Sequence, residues 1–494
     1  MSDMAINSSK KQVIDFTKGN PVSLILSFYW PLLLTSMLQQ FYNFADTWIV
    51  GKGLGDNALA AVGNMGSLFF LIVGFSFGLA NGFGVLIAQS FGARDEEGLK
   101  HRLAGVIELG IVLAATLSVF SVIFLPHALE LLRTDSLIVE DCLRYGNIIF
   151  GGLFTGICYN ISASVLRALG DSRTPLKAIM ASSVLNLTLD SLFIFVFHFG
   201  VEGAAIATIF SQVVSSIICI GRLGKIPFIR LEKRHFADNG RVFVALLKNG
   251  LPMAFMNSIT AVGCMVVQYF VNGFGVVYTA AYAACSKYLN LFMNPASTAG
   301  SAMSAYTSQN YGAGQYRRIR QGLMVCIGIS AFAYMTLGSL MIFIPRQLAG
   351  VLLSGSDQIA LVCEFLPRCG VMLIFVDVLF VVRSAVQGMG KPLLPMISGI
   401  LEMILRIAVI SSLIGRIGFR ATAYAEISAW IGALFINALA FIHIFKTINH
   451  IQREKRRDSV CSTSSTTPQL RSYLEKTLRL RWQSLLRNLA GLRS

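Results

Sequence analysis

The sequence predicts an all-α integral membrane protein: about twelve transmembrane helices in two six-helix lobes built as parallel repeats. Three observations lead there. The chain is rich in long apolar runs, poor in charge, and repeats itself at about 220 residues.

Of the 494 residues, 54% are hydrophobic and 13% charged, against roughly 25% charged in soluble globular domains. About 20 mostly apolar residues are needed to cross roughly 30 Å of hydrocarbon as a helix. Leu103–Leu125, Leu323–Ile344 and Ala421–Phe445 are such runs. A transmembrane β-barrel would show segments of about ten residues with alternating polarity instead. These runs are longer and apolar all round, so helices are expected near 22–50, 58–90, 103–126, 141–166, 176–198 and 203–222. A second set is expected near 250–274, 279–310, 322–345, 358–386, 394–415 and 421–446.

The two sets match. A shift of about 220 residues lays Gln89-Ser-Phe-Gly-Ala93 on Gln309-Asn-Tyr-Gly-Ala313 and Ala60-Ala61 on Ala280-Ala281. It also lays Gly170 and Pro175 on Gly390 and Pro395, and brings Pro31 near Pro252. Each half holds an even number of helices, so the halves share one orientation and are related by an axis along the membrane normal. A cavity between them, open to one side at a time, is the expected consequence. The expected organisation is an arm at 1–20, an N-lobe at 21–223, a basic interlobe loop at 224–249, a C-lobe at 250–447 and a basic tail at 448–494.

The formal charge of +16 is distributed one-sidedly rather than as a nucleic-acid footprint. Lys10, Lys11 and Lys18 lie in the arm. Arg94, Lys100, Arg102, Arg167, Arg173, Lys177, the stretch Arg222 to Lys248, Arg317, Arg318, Arg320 and Lys391 follow in alternate loops. The other loops hold only Lys52, Arg133, Arg144, Arg346, Arg416 and Arg420. That bias is the positive-inside rule, and it places both termini in the cytoplasm. The run Val22 to Val50 is too long for a signal-peptide core and reads as the first span. The nine cysteines are scattered, without a CxxC pair, and are expected as free thiols. Residues 451–494 carry ten Lys/Arg against three acids. Leu470 to Leu492, with Trp482, has rough helical spacing, so this tail reads as a disordered basic segment or a surface-lying amphipathic helix.

Ionisable residues inside a span are costly and mark functional sites by default. Asp46 lies on the first helix. Asn186 and Asp190, four residues apart, share one face of the fifth. An amide oxygen and a carboxylate together suit a hard cation such as Na⁺, and a carboxylate alone can carry a proton. No basic residue is expected mid-helix among the first six. In the second half, Val266 or Val267, beside Gln268, stands opposite Asp46; Arg406 stands opposite Asn186 and Ile410 opposite Asp190. Glu402 and Arg406, spaced i, i+4, read as an internal ion pair. Asp377 and Arg383 are intramembrane too, and Asp377, Gln268 and Arg406 are secondary site candidates. Lys287 reads as buried or interfacial. Acids in the C-terminal half mostly have bases within reach, so coupling is expected in the N-terminal half. Pro31, about four turns before Asp46, is either a static kink or the place where the helix bends on ion binding.

At these residues the chain resembles the multidrug and toxic compound extrusion (MATE) family, in its DinF-like branch, over roughly residues 15–450. The resemblance rests on Pro31 through Asp46-Thr-Trp-Ile-Val-Gly51, Gln89-x-x-Gly92-Ala93 and Arg167-Ala-Leu-Gly-Asp171-x-x-x-Pro175. Asn186-x-x-x-Asp190 and Gly203-Ala-Ala-x-Ala-Thr208 complete it. It implies twelve helices, a V-shaped cleft between two lobes and cation-driven export of drug-like molecules. It implies an N-lobe cation site of Asp46, Asn186, Asp190 and Thr208, with Tyr42 and Pro31 in bending and gating. Relatives that use acids on helices 7 and 10 would be echoed only by Asp377, since helix 7 carries no acid here.

The reading is an antiporter in which inward Na⁺ or H⁺ drives export of an amphipathic, cationic substrate. Phe-rich helices 1, 2 and 7 are expected to line the cleft. No cofactor beyond the coupling ion and no nucleic-acid partner is expected. The chain is expected as a monomer in a bacterial cytoplasmic membrane, in contact with lipid and small organic substrates. The nearest rival is a flippase for a lipid-linked saccharide, which should need more bases in the cavity. An intramembrane enzyme lacks support from HExxH, GxSxG or a metal-ligand cluster.

Overall fold

The first long helix begins where the sequence gives it a start: the Asn20 side chain accepts from the Val22 N–H at 2.9 Å, and Pro21 occupies the first turn. In this computed structural model, residues 13–131 and 134–461 are described. Lys10, Lys11, Arg133 and the tail from Ser462, including Trp482, lie outside them.

Twelve long helical segments follow in order: α1 (Pro21–Leu54), α2 (Asp56–Gly92), α3 (Glu96–Leu131), α4 (Val139–Gly151 continued by Leu153–Ala168) and α5 (Arg173–Ser191). Next come α6 (Val201–Gly224), α7 (Gly240–Asn272), α8 (Val276–Gly312) and α9 (Tyr316–Ala333, continued by Ser339–Phe343). Last are α10 (Ser356–Gly388), α11 (Leu393–Ile417) and α12 (Arg420–Cys461). One π turn, Leu192–Val196, prolongs α5; another, Tyr334–Gly338, lies within α9. Among the described residues, ten helices are long and apolar enough to cross a membrane, and the two pieces of α4, bent by 44° around Gly152, make an eleventh. The remaining segment, α8, is 37 residues long and mostly buried, but rich in Ser, Thr and Asn. Its burial explains its polarity, because it faces other helices rather than lipid. The interlobe connection is shorter than 224–249: α7 starts at Gly240, and two 3-10 turns fill the gap. The fold is all-α and multi-span, as expected.

The repeat is visible as a reciprocal joint. At Gly92 of α2, a Cβ would fall 1.9 Å from the Gln309 carbonyl oxygen of α8; at Gly312, one would fall 2.0 Å from the Gln89 carbonyl oxygen. Only glycine permits backbones this close. The side chains reciprocate as well. Gln89 Nε2 donates to the Gly388 carbonyl at 3.0 Å, and Gln309 Nε2 to the Ala168 carbonyl at 2.9 Å. Each partner is the other shifted by 220 positions. Gly82 against Gly250 and Gly78 against Ala254 continue the close packing of α2 on α7.

The arm residues before α1 seal the same end. Phe16 is fully buried between Phe28 and Tyr306, with ring centroids 5.1 and 5.5 Å away. Its N–H donates to Gln309 Oε1 at 2.9 Å, and its carbonyl accepts from Arg318 Nη2 at 2.9 Å and Asn310 Nδ2 at 3.2 Å. Ile14 N–H donates to the Gly170 carbonyl at 3.3 Å, and Asp15 pairs with Arg94. The arm thus ties the ends of α2 and α4 to α8 and α9.

Compact packing runs through Ala440. The segment from Phe441 forms a separate unit, whose described part continues helical to Cys461. Cys142, Cys158, Cys219, Cys264, Cys285, Cys326, Cys363 and Cys369 are free thiols.

Candidate functional site

The polar residues of α1, α5 and α6 converge because they recur on one face of each helix. Asn186 and Asp190 are both 0% exposed. One amide orientation of Asn186 satisfies both its ends: the NH₂ donates to Asp190 Oδ2 at 2.7 Å, and the oxygen accepts from the Thr208 N–H at 3.1 Å. Asp46 on α1 faces Asp190, carboxyl to carboxyl, within hydrogen-bonding reach. With both ionised, no donor lies between them, and Oδ1 of each is buried without a partner. The Tyr42 hydroxyl lies beside Thr208. Tyr145 of α4 stands within electrostatic range of Asp46, Tyr42 and Asp190. Four oxygen-bearing side chains, Asp46, Asn186, Asp190 and Thr208, are therefore gathered with two carboxylate oxygens vacant. Two carboxylates this close repel, and a cation between them relieves the repulsion. The donor set of carboxylate, amide and hydroxyl oxygens fits a hard monovalent cation or a proton. Among the described residues, no group of three His, Cys, Asp or Glu suits a transition metal.

This cluster opens into a cavity of about 730 Å³ walled by α1, α2, α4, α5 and α6. Tyr42, Asp46, Asn186 and Thr208 line it, with Phe69, Phe70 and Phe77 of α2 as its apolar wall. A second cavity of about 220 Å³ adjoins it nearer the sealed end, between α1, α2 and α4 on one side and α7, α8 and α10 on the other. The expected Phe lining comes from α2; Phe41 and Phe44 of α1 are 72% and 71% exposed and point away. Pro31 sits inside an unbroken α1, its carbonyl taken by the Thr35 hydroxyl at 2.7 Å.

The second half solves buried charge differently. Arg383 Nη2 donates to Glu402 Oε2 at 2.6 Å, and Arg406 Nη2 to Glu402 Oε1 at 3.1 Å. Arg406 Nε reaches Glu426 Oε2 at 3.1 Å. The i, i+4 pair Glu402–Arg406 is one link in a four-charge chain across α10, α11 and α12. Arg406 is thus committed to ion pairs. Gln268 donates along its own helix to Asn272 Oδ1 at 2.6 Å and takes no part in either cavity. Lys287 is exposed, not buried. Asp377 departs from the expectation that C-terminal acids find a base: it is 0% exposed and neither oxygen has a partner. Arg383, six residues farther along α10, is taken by Glu402.

Three contributors escaped sequence reasoning. Tyr145 and Gln39 line the large cavity but are single polar residues in apolar runs. Arg167 reads as a loop base, yet lines both cavities. Its place in the last turn of α4 was the available signal.

The model of the MatE family matches residues 31–192 and 252–411, one match per lobe. Among curated relatives, "Probable multidrug resistance protein YpnP" of Bacillus subtilis is 29% identical over 425 residues, covering 85% of this chain and 91% of that protein. "Probable multidrug resistance protein YoeA" of the same organism is 30% identical over 311 residues, 61% of this chain and 67% of that one. A solved structure described as the outward-facing conformation of a multidrug resistance MATE family transporter of the MOP superfamily superposes with a TM-score of 0.81. It shares 22% identity over 89% of this chain and 99% of that chain, a likeness of fold.

Proposed function

Because the chain belongs to the MatE family of multidrug efflux transporters, we propose that it is a secondary antiporter coupling inward Na⁺ or H⁺ to export of amphipathic, cationic organic molecules. One observation carries the coupling half of this reading: Asp46 and Asp190 meet carboxyl to carboxyl, each with a vacant buried oxygen, beside a large cavity. An entering cation binds between them, with the Thr208 hydroxyl adding an oxygen and the Asn186 amide holding Asp190 in place. Binding draws α1 toward α5 and α6. Since α1 carries Pro31 and also walls both cavities, that shift alters the substrate's surroundings. Substrate and ion then compete for one conformational equilibrium, as antiport requires.

The basic-end seal supports a closed cytoplasmic side, with both termini cytoplasmic by the positive-inside bias. In a bacterial cytoplasmic membrane, each cation entering down a 100 mV potential supplies about 2.3 kcal/mol. The relatives are named as transporters or resistance proteins, and no hydrolytic or redox constellation is gathered among the described residues, so no enzymatic role is assigned. The flippase reading is not favoured: Arg167 is the sole base among the residues lining the two cavities, against a diphosphate's need for several.

The test is efflux from proteoliposomes under a Na⁺ gradient and a pH gradient imposed separately, with Asp190→Asn beside the parent chain. One gradient should drive efflux in the parent and fail in the variant. Efflux indifferent to both gradients, or to the substitution, sinks the coupling site.

A further inference from the structure

Substrate chemistry can be read from what the two cavities share. Thr35, Ser36, Gln39, Phe77 and Arg167 line both of them. Arg167 has a buried Nη2 with no hydrogen-bond partner. The titratable neighbours that reach it are the Tyr159 hydroxyl and the Cys219 thiol, both ordinarily neutral at pH 7. Its guanidinium lies over the Phe77 ring, 5.8 Å from the centroid. That cation–π contact holds the guanidinium against the aromatic wall, and a guanidinium's planar fork of N–H groups matches an oxyanion. An enclosed guanidinium nitrogen without an anion is costly, and among the described residues none supplies the anion.

The surroundings are graded. In the larger cavity the apolar wall of Phe69 and Phe70 suits a flat hydrocarbon body. In the smaller one, the polar side chains of Gln39, Asn81, Ser304 and Ser384 form part of the wall. Arg167 stands where the two meet.

We propose that Arg167 is an oxyanion anchor, and that the exported substrates are amphiphiles whose carboxylate or phosphate head seats on it. The head occupies the smaller cavity and the apolar body the larger one. The proposal rests on the transporter reading but departs from its purely cationic substrate by adding an acidic head group. A simple cation leaves Arg167 bare, whereas a zwitterion offers an acid to Arg167 and an amine to the Asp46 wall.

The experiment is equilibrium dialysis of the purified full chain in detergent at pH 7.5, without any gradient. The probes are 2-naphthoxyacetic acid, its uncharged amide, and 2-naphthyl phosphate. The parent should bind the acid or the phosphate about tenfold more tightly than the amide, and the better of the two names the head group. Arg167→Gln should erase that preference while amide binding persists; Arg167→Lys should keep most of it. Equal binding of acid, phosphate and amide by the parent overturns the proposal even if the variants fail to fold. So does a preference that survives Arg167→Gln. Because dialysis needs no gradient, failed gradient-driven efflux counts against the antiport reading alone.

Discussion

The two lobes share one scaffold and hold their buried acids in opposite ways. In the N-lobe, Asp190 meets an amide and another acid, and two carboxylate oxygens stay vacant. In the C-lobe, Glu402 and Glu426 are clasped by Arg383 and Arg406. The repeat makes the contrast sharp, because the position of Asn186 becomes Arg406 and that of Asp190 becomes Ile410. An amide leaves a carboxylate able to take a cation; a guanidinium is already that cation. On the proposed reading one lobe exchanges charge, while the ion-pair chain of the other ties three helices together.

Removing a guanidinium should therefore cost stability and little else. Arg406→Leu leaves Glu402 and Glu426 short of a partner inside the bundle, and should destabilise the protein by about 3–5 kcal/mol. Thermal unfolding in detergent would show it as a large fall in midpoint. Replacing the whole chain of charges (Arg383→Met, Glu402→Leu, Arg406→Met, Glu426→Leu) should recover most of that loss, since packed apolar groups often match a buried ion pair. A C-lobe network that carried coupling would instead give a stable quadruple variant without gradient-driven efflux.

Asp190→Asn should show the reverse pattern. Asparagine keeps the volume and one acceptor, so the midpoint should move by no more than about 1 kcal/mol equivalent. Gradient-driven efflux should fall at least about tenfold, because an ion-binding charge is lost with no change in the cavity. A fall in stability matching the fall in transport would recast the N-lobe cluster as structural.

Most of this fold was legible from the sequence because lipid demands long apolar helices and glycine marks close approach. The Gln-x-x-Gly repeat at 89 and 309 marked the two halves as copies; that it forms a joint to which each half supplies both groups is visible only in the structure. The N-lobe cluster was legible because Asn186 and Asp190 share a face and no base was expected mid-helix among the first six. What escaped notice depended on side-chain direction across helices. Arg167 reads as one more loop base until the end of α4 turns it inward. Arg383 is six residues from Asp377 along α10, yet it reaches Glu402 on α11, and periodicity along one helix cannot show that choice. The roles of Phe16 and the arm were hidden too, because a single Phe in a polar stretch carries no period.

Asp377 is where the comparison is weakest. It belongs to the lobe of paired charges but has the bare carboxyl of the other lobe. If it is only a buried acid without a role, Asp377→Leu should leave efflux intact and stabilise the protein by about 1 kcal/mol or more, by removing unpaired polar atoms from the interior. A variant that folds well but transports at a changed number of cations per substrate would give the C-lobe a coupling group of its own. Reversal potentials measured in proteoliposomes separate the two outcomes.

The smallest expected effect lies at the arm, outside the spans. Partial burial raises the pKa of Asp15, but the Thr17 hydrogen bonds and the Arg94 charge outweigh it and hold the carboxyl below its ordinary 3.8. The sign then follows. A lowered folded-state pKa means that Asp15 contributes above the ordinary value, and that the contribution fades as pH falls through the lower, folded one. Between pH 5 and 8 the arm should be indifferent to pH; below about pH 4 it should loosen. Hydrogen exchange at the Ile14 and Phe16 amides reads this directly, since both are bonded across the seal. Asp15→Asn at pH 7 should speed their exchange by a few-fold, while Phe16→Ala, which empties an enclosed aromatic site, should speed it far more. If Asp15→Asn changes nothing at either amide, the ion pair is incidental. The seal then rests on Phe16 and its Gln309, Asn310 and Arg318 contacts, all on the C-lobe side.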